Sequence, residues 1–261
     1  MPTWNADQYL KFAEERTQPC RDLAARISVA SVSGVRTVID LGCGPGNSTT
    51  VIAQRWPNAE ITGLDNSPSM IEAARREQPQ HRWIVSDITE WAADPSNQGE
   101  QFDVVFSNAS LQWVPDHASV YPKLFARVAP RGAFAAQIPA DLNARPHELM
   151  REIASPRMNV MNVKEWHANP PGFYYDLLAP LSARVDVWET EYQQVLPNPE
   201  AIVEWYKGTG LRPFLEALHT NLERDEFLAE YLKRIRIAYP PHPDGKVLFP
   251  FRRLFVVAYR N

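Results

Sequence analysis

The stretch Val38–Ser48, VIDLGCGPGNS, passes from a run of apolar residues into three glycines in alternate positions and then into helix-starting residues. The glycines are Gly42, Gly44 and Gly46, and Asp40 stands two residues ahead of the first. Such a run predicts a buried strand, a tight turn and a helix, with a ligand placed beyond the strand end. The dinucleotide fingerprint GxGxxG needs its last glycine at position 47, where this chain has Asn47. A diphosphate favours bare amides at a helix N-terminus. A ligand carrying a cationic amino-acid group favours a nearby carboxylate such as Asp40. The spacing therefore points to S-adenosylmethionine rather than NAD, the competing reading being a glycine turn that only joins strand to helix.

Outward from this loop, strand and helix signals alternate. An amphipathic segment, Gln8–Ala25, precedes the first strand, Val35–Leu41. A helix over Asn47–Arg55 follows, then a strand, Glu60–Leu64. Ser67-Pro68 reads as an N-cap and first helical residue. Further strands are expected at Arg82–Ser86, Phe102–Ser107 and Ala133–Ile138. This alternation predicts parallel βαβ units in a doubly wound α/β sheet.

Beyond Pro139 the rhythm changes. Residues 143–180 are rich in Pro, Asn and aromatics. A strand returns at Arg184–Thr190, helical patterns cover Pro199–Lys207 and Glu223–Ala238, and a last strand runs Arg253–Tyr259. The expectation is a single domain over residues 1–261, with a mostly parallel seven-stranded sheet. Segments 143–180 and 197–250 would form a helical lid.

Hydrophobic residues at 44% and charged residues at 22% suit a globular chain of 261 residues. A net charge of −4 without a basic run argues against a nucleic-acid partner. No stretch approaches the ~18 apolar residues of a membrane-spanning helix. The opening MPTWNADQYLKFAEER carries charges and lacks an apolar signal core, so a cytoplasmic location is expected. Cys20 and Cys43 are too few for a zinc cluster and are expected to be reduced.

Polar residues at successive strand ends supply the candidate site. Asp65 closes the second strand, roughly 20 residues past the loop, where an acid accepts from ribose hydroxyls. The alternative, a helix N-cap, is already filled by Ser67. Asn66 follows in the same turn. Asp87, after the third strand, suits an adenine amino group with Ile88 against the ring; it would equally suit a plain turn. Asn108 closes the fourth strand, either at the reacting end of the ligand or as a turn residue. Trp113 is either core or a substrate wall.

Asp40–Gly46 (DLGCGPG), Asp65, Asp87 and NASLQWV resemble the successive motifs of class I S-adenosylmethionine-dependent methyltransferases. The resemblance runs through nearly the whole chain. YLKFAEERTQP, SLQWVPDH, SARVDVWET, IVEWYKGTGLRP, AYPP and RLFVVA are similar to a branch acting on a small polycarboxylic acid. It implies a Rossmann-like fold, S-adenosylmethionine as cofactor, and methyl transfer to a carboxylate. A carboxylate is ionised at neutral pH, with an ordinary pKa near 4, so no general base and no catalytic residue is expected. His117, His147 and His167 are accordingly read as surface or packing residues. A small-molecule polycarboxylate needs cations, and WYKGTGLRP offers Lys207 and Arg212 beside glycines, with Arg252 and Arg253 as alternatives. Tyr9 and Arg16 share one face of the opening helix, which in related enzymes closes over the cofactor. The same motifs fit two other readings: transfer to a hydroxyl or carbon nucleophile, which would require a base near Asn108, and a non-catalytic module that only binds S-adenosylmethionine.

Overall fold

The computed structural model describes residues 13–29, 34–97, 99–159, 163 and 165–261. Its strands are β1 (Thr37–Leu41), β2 (Glu60–Asp65), β3 (Arg82–Val85), β4 (Phe102–Asn108), β5 (Val128–Pro139), β6 (Arg184–Leu196) and β7 (Val247–Tyr259). They form one seven-stranded sheet in the order β3-β2-β1-β4-β5-β7-β6. Pairing among the first five is parallel, whereas β7 runs antiparallel to both β5 and β6. Strand order reverses between β1 and β4, which is where open α/β sheets hold ligands.

The helices are α1 (Ala13–Arg26), α2 (Asn47–Arg55), α3 (Pro68–Glu77), α4 (Ile88–Ala93) and α5 (His117–Phe125). Then come α6 (Arg145–Ala154), α7 (Pro171–Leu178), α8 (Pro199–Lys207), α9 (Arg212–Glu216) and α10 (Asn221–Ala238). Because β1 is central, both its faces are covered, and its side chains alternate between two cores. Ile39 and Leu41 join Trp91 of α4, Leu124 of α5 and Tyr174 of α7 on one side. Val38 joins Leu23 of α1 and Ile52 of α2 on the other. As its sequence implies, α3 starts with Pro68 behind a Ser67 cap that accepts from the Met70 amide.

A further core lies beyond the sheet. Leu149 and Ile153 of α6, Ile202 and Trp205 of α8, and Phe227 and Tyr231 of α10 pack there with Leu196, Val247, Phe249 and Phe251. The expected lid over 143–180 therefore divides. α6 belongs to this cap, whereas α7 lies on the sheet, with Tyr174 and Leu178 fully buried in the sheet core. The apolar spacing of Phe173, Tyr174, Leu177 and Leu178 makes one buried helix face. β6 and β7 are also longer than their sequence patterns suggest, at 13 residues each. Pro250 in one and Glu191, Gln193 and Gln194 in the other hide the continuation. Those extra halves carry the cap. Among the described residues, no helix is long and apolar enough to cross a membrane.

Candidate active site

A cleft of about 1070 Å³, open to solvent, lies over the strand ends at the β1/β4 reversal. Gly42, Cys43, Gly44 and Pro45 form one wall. The Gly42 and Cys43 amides both donate to the Leu64 carbonyl, at 2.7 and 3.0 Å, tying the loop to β2. Gly42 has φ +70°, and a Cβ there would lie 1.8 Å from Ser110 Oγ. The β1 and β4 loops can meet so closely only because this residue is glycine. Gly44 also has positive φ, at +55°, but a Cβ there would meet nothing within 4 Å. Its backbone faces open cleft.

Asp40 is not on this wall. Its side chain is fully buried, and one carboxylate oxygen accepts from Ser48 Oγ and Thr49 Oγ1, each at 2.7 Å. Burial pushes its carboxyl up to about 6, against those two hydroxyl bonds. That oxygen anchors the start of α2 instead of lining the cleft, while the other, Oδ1, is buried without a hydrogen-bond partner among the described residues. The cause is its place in a central strand, paired with Gly63 and Phe106 on either side. Gly46 likewise lies behind the loop, where its carbonyl accepts from Gln78 Nε2 at 3.0 Å.

The other strand-end residues do converge on the cleft. Asp65 lines it while accepting from the Gly44 and Ser67 amides, each at 2.9 Å. Burial raises its carboxyl above the ordinary range, opposed by these backbone bonds. Asn66 is beside it on the wall. Asp87 is both wall and helix cap, accepting from the Thr89 amide at 2.7 Å at the start of α4. Ile88 is buried next to it on the same wall. Asn108 lines the cleft, and its buried Oδ1 has no hydrogen-bond partner among the described residues. Ala109 follows at φ 53°, held by its amide donating to the Gln137 carbonyl at 2.8 Å. A non-glycine residue in this conformation costs roughly 1 kcal/mol and often marks a functional turn. Tyr9 and the Arg16 side chain lie outside the described residues. Sequence reasoning missed Cys20, Met70 and Ser110 on the wall. Only Ser110, inside NASLQWV, carried a local signal.

Trp113 and Ala109 line this cleft and also a second cavity of about 530 Å³. The second cavity is walled by Trp166, Trp205, Tyr206 and Phe251, with His147 and Arg253 as its ionisable residues. The cations named from sequence are distributed unevenly around it. The Arg212 guanidinium sits 5.5 Å from the Trp113 ring centre, and its Nε is 3.7 Å from Glu216. Lys207 lines neither space; it turns aside to pair with Glu204 at 2.5 Å. Arg252 is exposed and donates to the Ala140 carbonyl, whereas Arg253, its neighbour on β7, points inward and is buried. Strand alternation separates the two.

The histidines also divide. His117 is a packing residue, with Nε2 bonded to the Leu111 carbonyl and Nδ1 to the Tyr174 hydroxyl, each at 2.8 Å. It holds the Leu111–Trp113 turn onto α7. His147, expected as surface or packing, instead lines the second cavity.

The sheet order, the glycine loop and the acidic residues at successive strand ends define a class I methyltransferase domain. A methyltransferase-domain family model matches residues 33–196. A trans-aconitate 2-methyltransferase from Azoarcus sp. (strain BH72) is 45% identical over 262 residues, covering all of both chains. One from Rhodopseudomonas palustris (strain BisB18) is 46% identical over 265 residues, again covering both completely. The chain belongs to the trans-aconitate 2-methyltransferase family. Among solved structures, YcgJ from Bacillus subtilis aligns with TM-score 0.57 at 12% identity, over 95% of this chain and 98% of that one. Phosphoethanolamine N-methyltransferase 2 of Haemonchus contortus, in complex with S-adenosyl-L-methionine, aligns with TM-score 0.56 at 14% identity, over 97% and 57%. These two share the fold.

Proposed function

We propose that this chain transfers the methyl group of S-adenosylmethionine to one carboxylate of trans-aconitate, forming the monomethyl ester. The observation that carries this reading is likeness along the full length of the named relatives, cap included. Cap residues His147, Trp205 and Tyr206 wall the second cavity, which shares Trp113 with the cleft. Sheet and cap share β6 and β7, which supports reading residues 1–261 as one domain.

The cleft suits the cofactor in its own chemistry. Gly44 presents backbone to open space, Asp65 presents a carboxylate suited to ribose hydroxyls, and Asp87 with Ile88 suits an adenine. Asn108 offers a buried carbonyl oxygen with a hydrogen bond still to accept, suited to the ligand's ammonium. Bound there, S-adenosylmethionine supplies an electrophilic methyl on a sulfonium, whose C–S bond breaks as a carboxylate oxygen forms the new C–O bond.

The chain's own part is positioning and exclusion of water. The reacting carboxylate and the sulfonium lose their opposite charges as the methyl moves, so a weakly polar surrounding favours the transfer. Trp113 and the aromatic walls beyond it provide that surrounding. Arg212 lines neither space, but its guanidinium sits beside the Trp113 ring, which supports it as a partner for a carboxylate near that ring. No residue is needed to take a proton. Among the described residues, His147 is the only histidine on either wall, and burial drives its pKa down to about 3, too low for a base at neutral pH. The free thiols Cys20 and Cys43 suit a reducing compartment such as the cytoplasm.

Transfer of labelled methyl to a panel of carboxylic acids, phenols and amines tests the reading. Base-labile label should appear on trans-aconitate and not on phenols or amines. Label confined to a phenol or amine would overturn it.

A further inference from the structure

The second cavity is not needed to hold the methyl donor, yet it is built as a ligand site. It shares Ala109 and Trp113 with the cleft, next to the end of β4 where transfer would occur. Trp113, Trp166, Trp205, Tyr206 and Phe251 make much of its wall aromatic, and two buried basic side chains interrupt it. His147 is 1% exposed, and neither of its ring nitrogens has a hydrogen-bond partner among the described residues. Arg253 is 4% exposed.

The imidazole is held firmly in place. Trp166 and Tyr206 meet it edge-on, with ring centres at 5.3 and 5.0 Å. Gly210 packs on it so closely that a Cβ would lie 2.8 Å from His147 Cε1. The glycine of the Gly-Thr-Gly turn therefore makes room for a histidine rather than for substrate. Glu165, the nearest carboxylate, is 3.9 Å from Nδ1 and already pairs with Arg151 at 3.3 Å. A buried neutral imidazole must carry one N–H donor and one acceptor nitrogen. Its N–H is a donor that a ligand carboxylate, an acceptor, would satisfy.

Resting on the polycarboxylate reading above, we infer that this cavity receives a carboxylate of the acceptor that is not methylated, held by the Arg253 guanidinium and a His147 N–H. A carboxylate accepts both kinds of donor, and the aromatic walls strengthen the charge-assisted bond. Asp141, behind Arg253, is buried and accepts from the Tyr206 hydroxyl at 3.5 Å. The cavity thus selects for acids with a second anionic arm. Arg212, beside the Trp113 ring, meets a further arm near that ring.

The test uses the full chain loaded with S-adenosylhomocysteine for binding and with S-adenosylmethionine for turnover. Trans-aconitate binding is read by tryptophan fluorescence, since Trp113, Trp166 and Trp205 line the cavity. Turnover is compared with analogues in which each carboxylate in turn is replaced by hydrogen. In the parent, one analogue should lose at least 100-fold in kcat/KM. Arg253→Met should lose a similar factor on trans-aconitate and discriminate between the two by less than about threefold. The Asp141→Asn/Arg253→Met pair removes both charges and should behave alike, even if the single variant folds poorly. His147→Phe should weaken trans-aconitate binding about tenfold while S-adenosylhomocysteine affinity stays the same. If these variants keep the parent's binding and discrimination, the cavity assignment fails although the methylation reading stands. A parent that binds trans-aconitate through Arg253 and His147 without methylating it would sink the methylation reading alone. A parent that does neither overturns both.

Discussion

Two glycines two residues apart, Gly42 and Gly44, separate folding from binding at single residues. At Gly42 an added methyl collides with Ser110 and the backbone is left-handed. Gly42→Ala should therefore cost stability, by roughly 1–2 kcal/mol from backbone strain alone with the collision added. A lower Tm is expected together with weaker S-adenosylhomocysteine binding. At Gly44 the added methyl meets no protein atom. Gly44→Ala should pay only the backbone strain, yet lose cofactor affinity because the methyl enters the space the ligand takes. Calorimetry on both variants checks this, and equal affinity loss per degree of Tm would contradict it. Asp65→Ala addresses the ribose directly. Losing two charge-assisted hydrogen bonds should weaken S-adenosylhomocysteine by roughly 1.5–3 kcal/mol, and unchanged affinity would remove Asp65 from the ligand's shell.

At the scale of elements, the first half was legible because its signals are local. Apolar runs, the glycine loop and Ser67-Pro68 each announce a boundary within a few residues. Asp65, Asp87 and Asn108 reach the cleft because strand ends share one edge in parallel sheets. Asp40 misled because linear spacing does not say toward which side a central-strand carboxylate turns. The second cavity was illegible for another reason: its wall is gathered from residues between Ala109 and Arg253, and no local period marks it. His147 lies in a Pro- and Asn-rich segment that announces no element, and Arg253 was distinguishable from Arg252 only by strand register. The cap's own stability can be tested apart from the site. Thr220 and Glu223 form a reciprocal capping box at the start of α10, far from the cleft wall. Thr220→Ala should lose about 1 kcal/mol and lower Tm by about 2–4 °C. S-adenosylhomocysteine affinity should not change, which calorimetry can verify.

In the whole molecule, β7 passes from one core into the other. Phe249 and Phe251 belong to the cap, Leu254 and Phe255 to the sheet, and Arg253 stands at the crossing. Asp141 lies just past the end of β5 at the same junction. Burial pushes its carboxyl up to about 7, although Arg253 and the Tyr206 hydroxyl act to lower it. In the unfolded chain it returns to the ordinary 3.8. Between those values the folded state holds a proton that the unfolded state has released. Stability therefore falls as pH rises through this window, by up to about 1.4 kcal/mol per pH unit, and then levels. His147 acts oppositely, because burial lowers it from 6.5 to about 3, so acidification below 6.5 favours the unfolded chain. The two slopes offset one another in the parent between about pH 4 and 6.5. Asp141→Asn removes one of them without adding a charge. The difference in Tm, variant minus parent, should climb from pH 5 to 7 and flatten above 8. Calorimetric scans across that range decide it. A difference that does not vary with pH would mean that Asp141 stays ionised in the fold, as half of a permanent ion pair with Arg253.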